Sequence, residues 1–339
     1  MPHSPVGLSA PARPEHASLD VVCLGETMAV LAPPDARPLA DQPTLRLSIG
    51  GAESNVACGL AALGHRAAWL SRVGDDPFGQ RIVTELASRG VEVSAVGTDP
   101  HHPTGVYFKD PGPDATRTHY YRRGSAAAHM GPDAARAPEL RDTRVVHLSG
   151  ITAALSDSCA RLLEEIVVHR TPWTDDASGT TVRPVRPVVS FDVNHRPALW
   201  RHHGDAARAL LELARAADIV FVGRDEAEAL WHTARPDEIA ALLAPAPLVV
   251  VKDAEHGATS YSAGTRVFAP TPPVEVVEPV GAGDAFAAGY LSGVLHGRDE
   301  MSRLRLGHLT AGAVLRTRDD VPVLGPDMAA ELSGQPSAG

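Results

Sequence analysis

Six short runs recur along the chain that are apolar at nearly every position: Val21–Leu24, Ala68–Ser71, Val145–Leu148, Val188–Val193, Ile219–Val222 and Leu248–Val251. A strand with one wet face alternates apolar and polar residues. A run that does not alternate belongs to a strand covered on both faces, the situation of parallel sheets. Stretches with helical spacing lie between the runs, at Ser54–Leu63, Pro77–Arg89, Ser156–His169 and Asp205–Ala217. In the third, Ser156 stands as an N-cap ahead of the apolar stripe Leu162, Leu163 and Ile166. Strand–helix–strand alternation predicts an α/β protein with a parallel sheet covered by helices on both faces.

One stretch breaks this rhythm. Thr104–Asp110 and Thr116–Arg123 read as two strands joined by Pro111–Ala115, a hairpin flap able to cover a site. With 41 acidic against 31 basic residues the chain carries a net charge of -10, the wrong sign for a nucleic-acid partner. Cys23, Cys58 and Cys159 form no CxxC pair, which argues against a disulfide framework or zinc site and fits a reducing, cytoplasmic setting. The sixteen histidines are dispersed, with His101-His102 and His202-His203 in polar loops, and read as surface residues, not metal ligands. No apolar run reaches the roughly 20 residues of a membrane span. Residues 1–20 lack the apolar segment of a signal peptide and are expected to be a disordered extension. Residues 171–187 read as a surface insertion, and residues 21–330 as the folded domain.

Four stretches carry polar chemistry. In Pro279–Tyr290, PVGAGDAFAAGY, a glycine turn opens a small-residue helix, so the amides of Gly281, Ala282 and Gly283 can point at one anion. Asp284 in the first turn would repel an anion that was merely bound there. It makes sense as the acceptor of a proton from a hydroxyl that attacks a phosphoryl group, and the helix dipole is expected to keep its pKa low. Position 286 is Phe286, so the stretch is no GxGxxG fingerprint, and GxxxxGK[ST] is absent. In Ile49–Leu60, IGGAESNVACGL, Gly51 permits close approach and Asn55 offers both donor and acceptor to sugar hydroxyls. In Ser190–Arg196, SFDVNHR, the polar groups Asp192, Asn194 and Arg196 leave a buried strand at its carboxyl end, the edge where open α/β sheets bind ligands. In the flap, period 2 puts Thr118, Tyr120 and Arg122 on one face and His119, Tyr121 and Arg123 on the other. Arg122 and Arg196 can clamp a carboxylate. Each stretch also has a plain structural reading, as a capped turn, a core-helix entry or a charged edge strand.

Taken together, the GGAESN and GAGDAF stretches and their separation resemble the two signatures of the PfkB (ribokinase-like) carbohydrate kinases, over about Val21 to Arg318. LGETM, TGVYF, YYRRGSA, LSGITAALS and DVNHRPALW are similar to the members of that family that phosphorylate 2-keto-3-deoxygluconate. The resemblance implies a doubly wound, mostly parallel sheet flanked by helices, with a small β-sheet lid from about 33–50 and 104–123. It implies transfer of the ATP γ-phosphate to the sugar 6-hydroxyl, with Asp284 as base and Gly281, Ala282 and Gly283 as anion hole. Gly51, Asn55, Tyr107, Tyr120, Arg122 and Arg196 match sugar-binding positions. Asn194, Arg196, Glu226, Lys252, Gly257, Gly281, Gly283 and His308 match nucleotide positions, and Mg²⁺ would travel with ATP near Asp192, Asn194 and Glu226. Implied partners are a sugar acid, ATP, a monovalent cation such as K⁺, and further copies of the chain in a homo-oligomer.

This chain departs from the family pattern on the nucleotide side. Glu278 stands where Asp is usual, which bears on the monovalent-cation loop; Gly223 replaces an asparagine, Ala254 a glycine, and His308 a common asparagine. A neutral sugar needs no guanidinium pair, so the expected acceptor is a keto-deoxy acid. The alternatives are a family kinase of a neutral sugar of the fructose or ribose type and a sugar-acid-binding sensor without transfer.

Overall fold

The six runs become the centre of one sheet. In the computed structural model the strands are β1 (Val21–Leu24), β2 (Met28–Ala32), β3 (Arg46–Gly50), β4 (Ala67–Gly74), β5 (Val96–Asp99), β6 (Val106–Asp110) and β7 (Arg117–Tyr121). They continue with β8 (Val145–Ser149), β9 (Val188–Asp192), β10 (Ile219–Gly223), β11 (Leu248–Asp253), β12 (Gly257–Ser262) and β13 (Thr265–Pro270). The structure describes residues 19–35, 37–112, 116–173, 186–200 and 204–317. The expected N-terminal extension up to residue 18, most of the insertion (174–185), the flap loop 113–115, His202-His203 and the end of the domain beyond 317 lie outside them.

Among the described residues nine strands form the large sheet, in the order β13-β12-β11-β10-β9-β8-β1-β4-β5. From β11 to β5 all pairings are parallel, with Val22 beside both Ala68 and Val146. Alternate residues of each strand feed opposite faces. Val22, Leu24, Val146, Leu148, Val189, Val220 and Val249 pack against Leu162, Leu163 and Leu210 on one side. Val21, Cys23, Trp69, Val145, Ile219 and Val250 pack against Val56, Leu60, Tyr290 and Leu291 on the other. Ser156 caps the helix Asp157–Leu163 by accepting from the Cys159 amide at 3.1 Å. The helix continues through a wider π-type turn over Glu164–Val168.

Three strands of this sheet were not anticipated. β12 and β13 extend it antiparallel from β11, and β5 closes the other edge. All three lie at or near the sheet edges, where half-exposed, mixed sequences such as Thr265–Pro270 lack the apolar signature.

A second sheet, ordered β3-β2-β6-β7, stands over the first. β6 and β7 pair antiparallel, Tyr107 opposite Tyr120, as the flap reading requires. The lid starts at Met28 and not near residue 33, because the chain turns at Glu26 and Thr27 and re-enters a sheet at once. Of the described residues between β2 and β3, Leu39–Asp41 form a short 3-10 turn and none lies in a strand. Among the described residues no helix is long and apolar enough to cross a membrane.

Candidate active site

The strand order reverses between β1 and β8: the chain steps outward through β4 and β5 on one side and through β9, β10 and β11 on the other. In open α/β sheets the crevice at the carboxyl ends beside such a switch is the ligand site. A cavity of about 660 Å³ lies there, roofed by Tyr107, Lys109, Thr118 and Tyr120 of the lid.

The helix Ala282–Leu295 points its N-terminus into this cavity. Gly281 begins it with φ 82°, left-handed geometry that suits glycine. A Cβ on Gly283 would stand 3.6 Å from the Lys252 Nζ, so the ammonium sits directly by the turn. Asp284 Oδ2 accepts from Asn55 Nδ2 at 2.9 Å. Asn55 is delivered by the first turn of the helix Ala52–Ala62, with its amide on Gly51 O at 2.8 Å. A Cβ on Gly51 would lie 2.3 Å from Glu26 O, which explains the glycine.

The expected low pKa of Asp284 is not found. Burial at the cleft floor pushes it up to about 7; the Asn55 hydrogen bond opposes that rise and Asp192 adds to it. Desolvation of a carboxylate enclosed by protein outweighs a helix-end partial charge. A carboxyl at this value can take up a proton near neutrality, which one kept low by the helix end could not do as readily.

Beside it lies a charged group from the ends of β9 and β11 and from the first turn of the helix Arg224–Trp231 after β10. Lys252 Nζ donates to Asp192 Oδ2 at 2.7 Å. Burial alone would lower the lysine pKa, but Asp192 and Glu226 more than offset it and hold it above its ordinary value. Glu226 accepts from the Gly223 amide at 2.8 Å and the His195 amide at 2.9 Å, and burial followed by Asp192 raises its pKa. Lys252 therefore stays charged next to the glycine turn, where ammonium and helix N-terminus together suit a phosphoryl anion. Among the described residues no three His, Cys, Asp or Glu side chains gather to hold a metal ion.

The structure brings most of the expected site residues together. Gly51, Asn55, Tyr107, Tyr120, Arg122, Asp192, Asn194, Arg196, Glu226, Lys252, Gly281, Gly283 and Asp284 all line the cavity. Thr118 lines it with Tyr120 and Arg122, the face that period 2 assigned. Gly257 and His308 do not. Gly257 is buried at the start of β12, and His308 packs edge-on against Phe286 with Nε2 3.2 Å from Ala269 O. Ala282 is in the turn but off the cavity wall. Arg122 and Arg196 each already face a carboxylate: Arg122 Nε donates to Glu26 Oε2 at 2.6 Å, and Arg196 Nη1 lies 3.8 Å from Glu226 Oε1.

Comparison with known proteins decides what this cleft belongs to. The family model described as "pfkB family carbohydrate kinase" matches residues 18–322. The chain belongs to the PfkB carbohydrate kinase family. It is 34% identical over 326 residues to the 2-dehydro-3-deoxygluconokinase of Thermoproteus tenax, covering 94% of this chain and 95% of that one. It is 32% identical over 314 residues to the 2-dehydro-3-deoxygalactonokinase of Haloferax volcanii, covering 91% and 94%. The crystal structure of a PfkB protein from Polaromonas sp. JS666 superposes with a TM-score of 0.79 at 31% identity, covering 89% and 97%.

Two residues of this PfkB kinase escaped the sequence reading. Glu26 lies 2% exposed in the cavity wall as the partner of Arg122, and Lys109 reaches from the lid to within 3.5 Å of Glu278. The signal for Glu26 was present, an acidic residue two positions beyond the apolar parallel strand β1, at the same carboxyl edge where Asp192 ends β9.

Proposed function

We propose that this carbohydrate kinase transfers the γ-phosphate of ATP to the 6-hydroxyl of 2-keto-3-deoxygluconate or its galactonate epimer. The observation that carries the reading is the carboxyl of Asp284, with a pKa near neutrality, beside a helix N-terminus and the Lys252 ammonium. Asp284 takes the hydroxyl proton as the hydroxyl oxygen forms its bond to the γ-phosphorus. The bond from that phosphorus to the β,γ-bridging oxygen breaks, and ADP leaves. Asn55 holds the carboxylate in place. The amides at Gly281–Gly283 and Lys252 carry the charge of the transferring group. Asp192, Asn194 and Glu226 are the residues that would stand nearest a Mg²⁺ bound with ATP, which would supply further charge neutralisation on the phosphates.

At the sugar end, Tyr107, Tyr120 and Arg122 descend from the lid and its root, and Gly51 and Asn55 rise from the body. Closure of the lid excludes water, so that phosphate transfers to sugar and not to solvent. Names of relatives that act on 2-keto-3-deoxy sugar acids support the acceptor class. Three free, buried cysteines support a cytoplasmic setting. Exposed Leu47 and Tyr121 on the lid support pairing of lids in a homo-oligomer.

The test is a coupled ADP-release assay with Mg-ATP on 2-keto-3-deoxygluconate, its galactonate epimer, fructose and ribose, with Asp284→Asn as control. Turnover on the keto acids that is lost in the variant supports the reading. Turnover confined to a neutral sugar overturns the acid assignment, and sugar binding without turnover identifies a sensor.

A further inference from the structure

Four segments of chain cross between the body and the lid, and all four meet at Glu26. The first is its own, joining β1 to β2. The second passes at Gly51, where a Cβ would lie 2.3 Å from Glu26 O, and the third at Gly105, where it would lie 2.7 Å from Glu26 Oε1. The fourth runs from β7 back to the body: Arg122 Nε donates to Glu26 Oε2 at 2.6 Å, with Nη2 on the same oxygen, and Ser125 Oγ donates to Oε1. Glu26 is 2% exposed and Arg122 8%.

A carboxylate and a guanidinium so enclosed are tolerable only as a pair, since either alone would be an uncompensated buried charge. Holding the Nε/Nη2 edge also removes the rotamer freedom of the long arginine side chain before any ligand arrives. Arg122 lines the cavity while the Nε/Nη2 edge of its guanidinium is taken up by Glu26.

We infer that Glu26 is a positioning residue for substrate choice: it aims Arg122 into the cavity so that an acceptor's carboxylate meets a fixed guanidinium end. This rests on the reading of Arg122 as the carboxylate ligand. An acceptor with a hydroxyl in place of the carboxylate leaves that fixed donor poorly matched, and a site built for one partner discriminates against its absence.

A double-mutant cycle tests it, with the acid's KM and kcat measured at saturating Mg-ATP in Glu26→Ala, Arg122→Met and the double variant. Acting through Arg122, Glu26→Ala raises the acid KM about tenfold or more while kcat changes far less, and changes KM less than about twofold once Arg122 is methionine. An equal KM rise in both backgrounds overturns the proposal and makes Glu26 a support of the hinge alone. An unchanged acid KM in Arg122→Met overturns the reading of Arg122 itself, and this proposal with it. Should Glu26→Ala not fold, Glu26→Gln carries the same cycle, keeping the shape and the Ser125 contact while removing the charge.

Discussion

Acidification provides the sharpest test of the proposed base, because Asp284 titrates where an ordinary aspartate does not. If Asp284 accepts the hydroxyl proton, only its ionised form is competent, and kcat/KM for the sugar follows that ionisation in the free enzyme. Burial raises the carboxyl from 3.8 to about 7, against the Asn55 hydrogen bond and with the help of Asp192. Protonation removes the base, so the rate falls towards acid. One pH unit below the pKa about a tenth of the enzyme remains ionised, and two units below about a hundredth. An unshifted aspartate would hold nearly full activity over that range. The assay is initial ADP release from about pH 5.5 to 8.5 at limiting sugar, with Mg-ATP saturating and Mg²⁺ in excess. Asn55→Ala adds a second reading: it removes a donor that favours the ionised form, so the inflection moves to higher pH whatever happens to sugar affinity. A flat profile across the window, or an inflection that does not move in Asn55→Ala, would refute the assignment of the limb to Asp284.

Two further expectations concern the nucleotide side. Lys109 of the lid stands 3.5 Å from Glu278, whose Oε1 also accepts from the Val280 amide at 3.4 Å, so the ion pair links the lid to the segment entering the glycine turn. Lys109→Met is expected to weaken the mutual enhancement of sugar and nucleotide binding by about two- to fivefold, read as the Kd of a non-hydrolysable ATP analogue with and without sugar; an unchanged ratio counts against the link. Ala254 holds a left-handed φ of 39° in the turn between β11 and β12. Ala254→Gly is expected to stabilise the fold by about 0.5–1 kcal/mol, since relief of the left-handed alanine exceeds the added unfolded-state entropy. A lower Tm in that variant would contradict it.

How much of this was legible depended on whether the deciding interaction was local. Strands apolar on both faces announce themselves, and β1, β4, β8, β9, β10 and β11 form the parallel body. Asp192 and Asn194 were found because polar residues at the carboxyl end of such a strand fall at the ligand edge. β12 and β13 were not, because an antiparallel edge hairpin is half wet and its residues follow no single pattern. The helix-end argument for Asp284 used only its nearest neighbours in sequence. Its ionisation is set instead by enclosure and by groups from elsewhere in the chain, with Asn55 lying 229 positions away.

The same distinction changes the argument for an acid substrate. Read along the chain, Arg122 and Arg196 are two unclaimed cations, and a carboxylate-bearing acceptor follows from charge alone. Folded, Arg122 has a carboxylate 96 positions away in sequence, and Arg196 lies near Glu226. The net charge beside Arg122 is then close to nil before substrate binds, and counting guanidinium groups no longer selects an acid. Selection must come from geometry: a fixed donor end rewards an acceptor that satisfies it and penalises one that leaves it bare. A mobile, uncompensated arginine would bind anions of many shapes. One held by Glu26 gives up part of that attraction for a defined direction, and for that reason acid preference in this site is expected to depend on Glu26 as well as on Arg122.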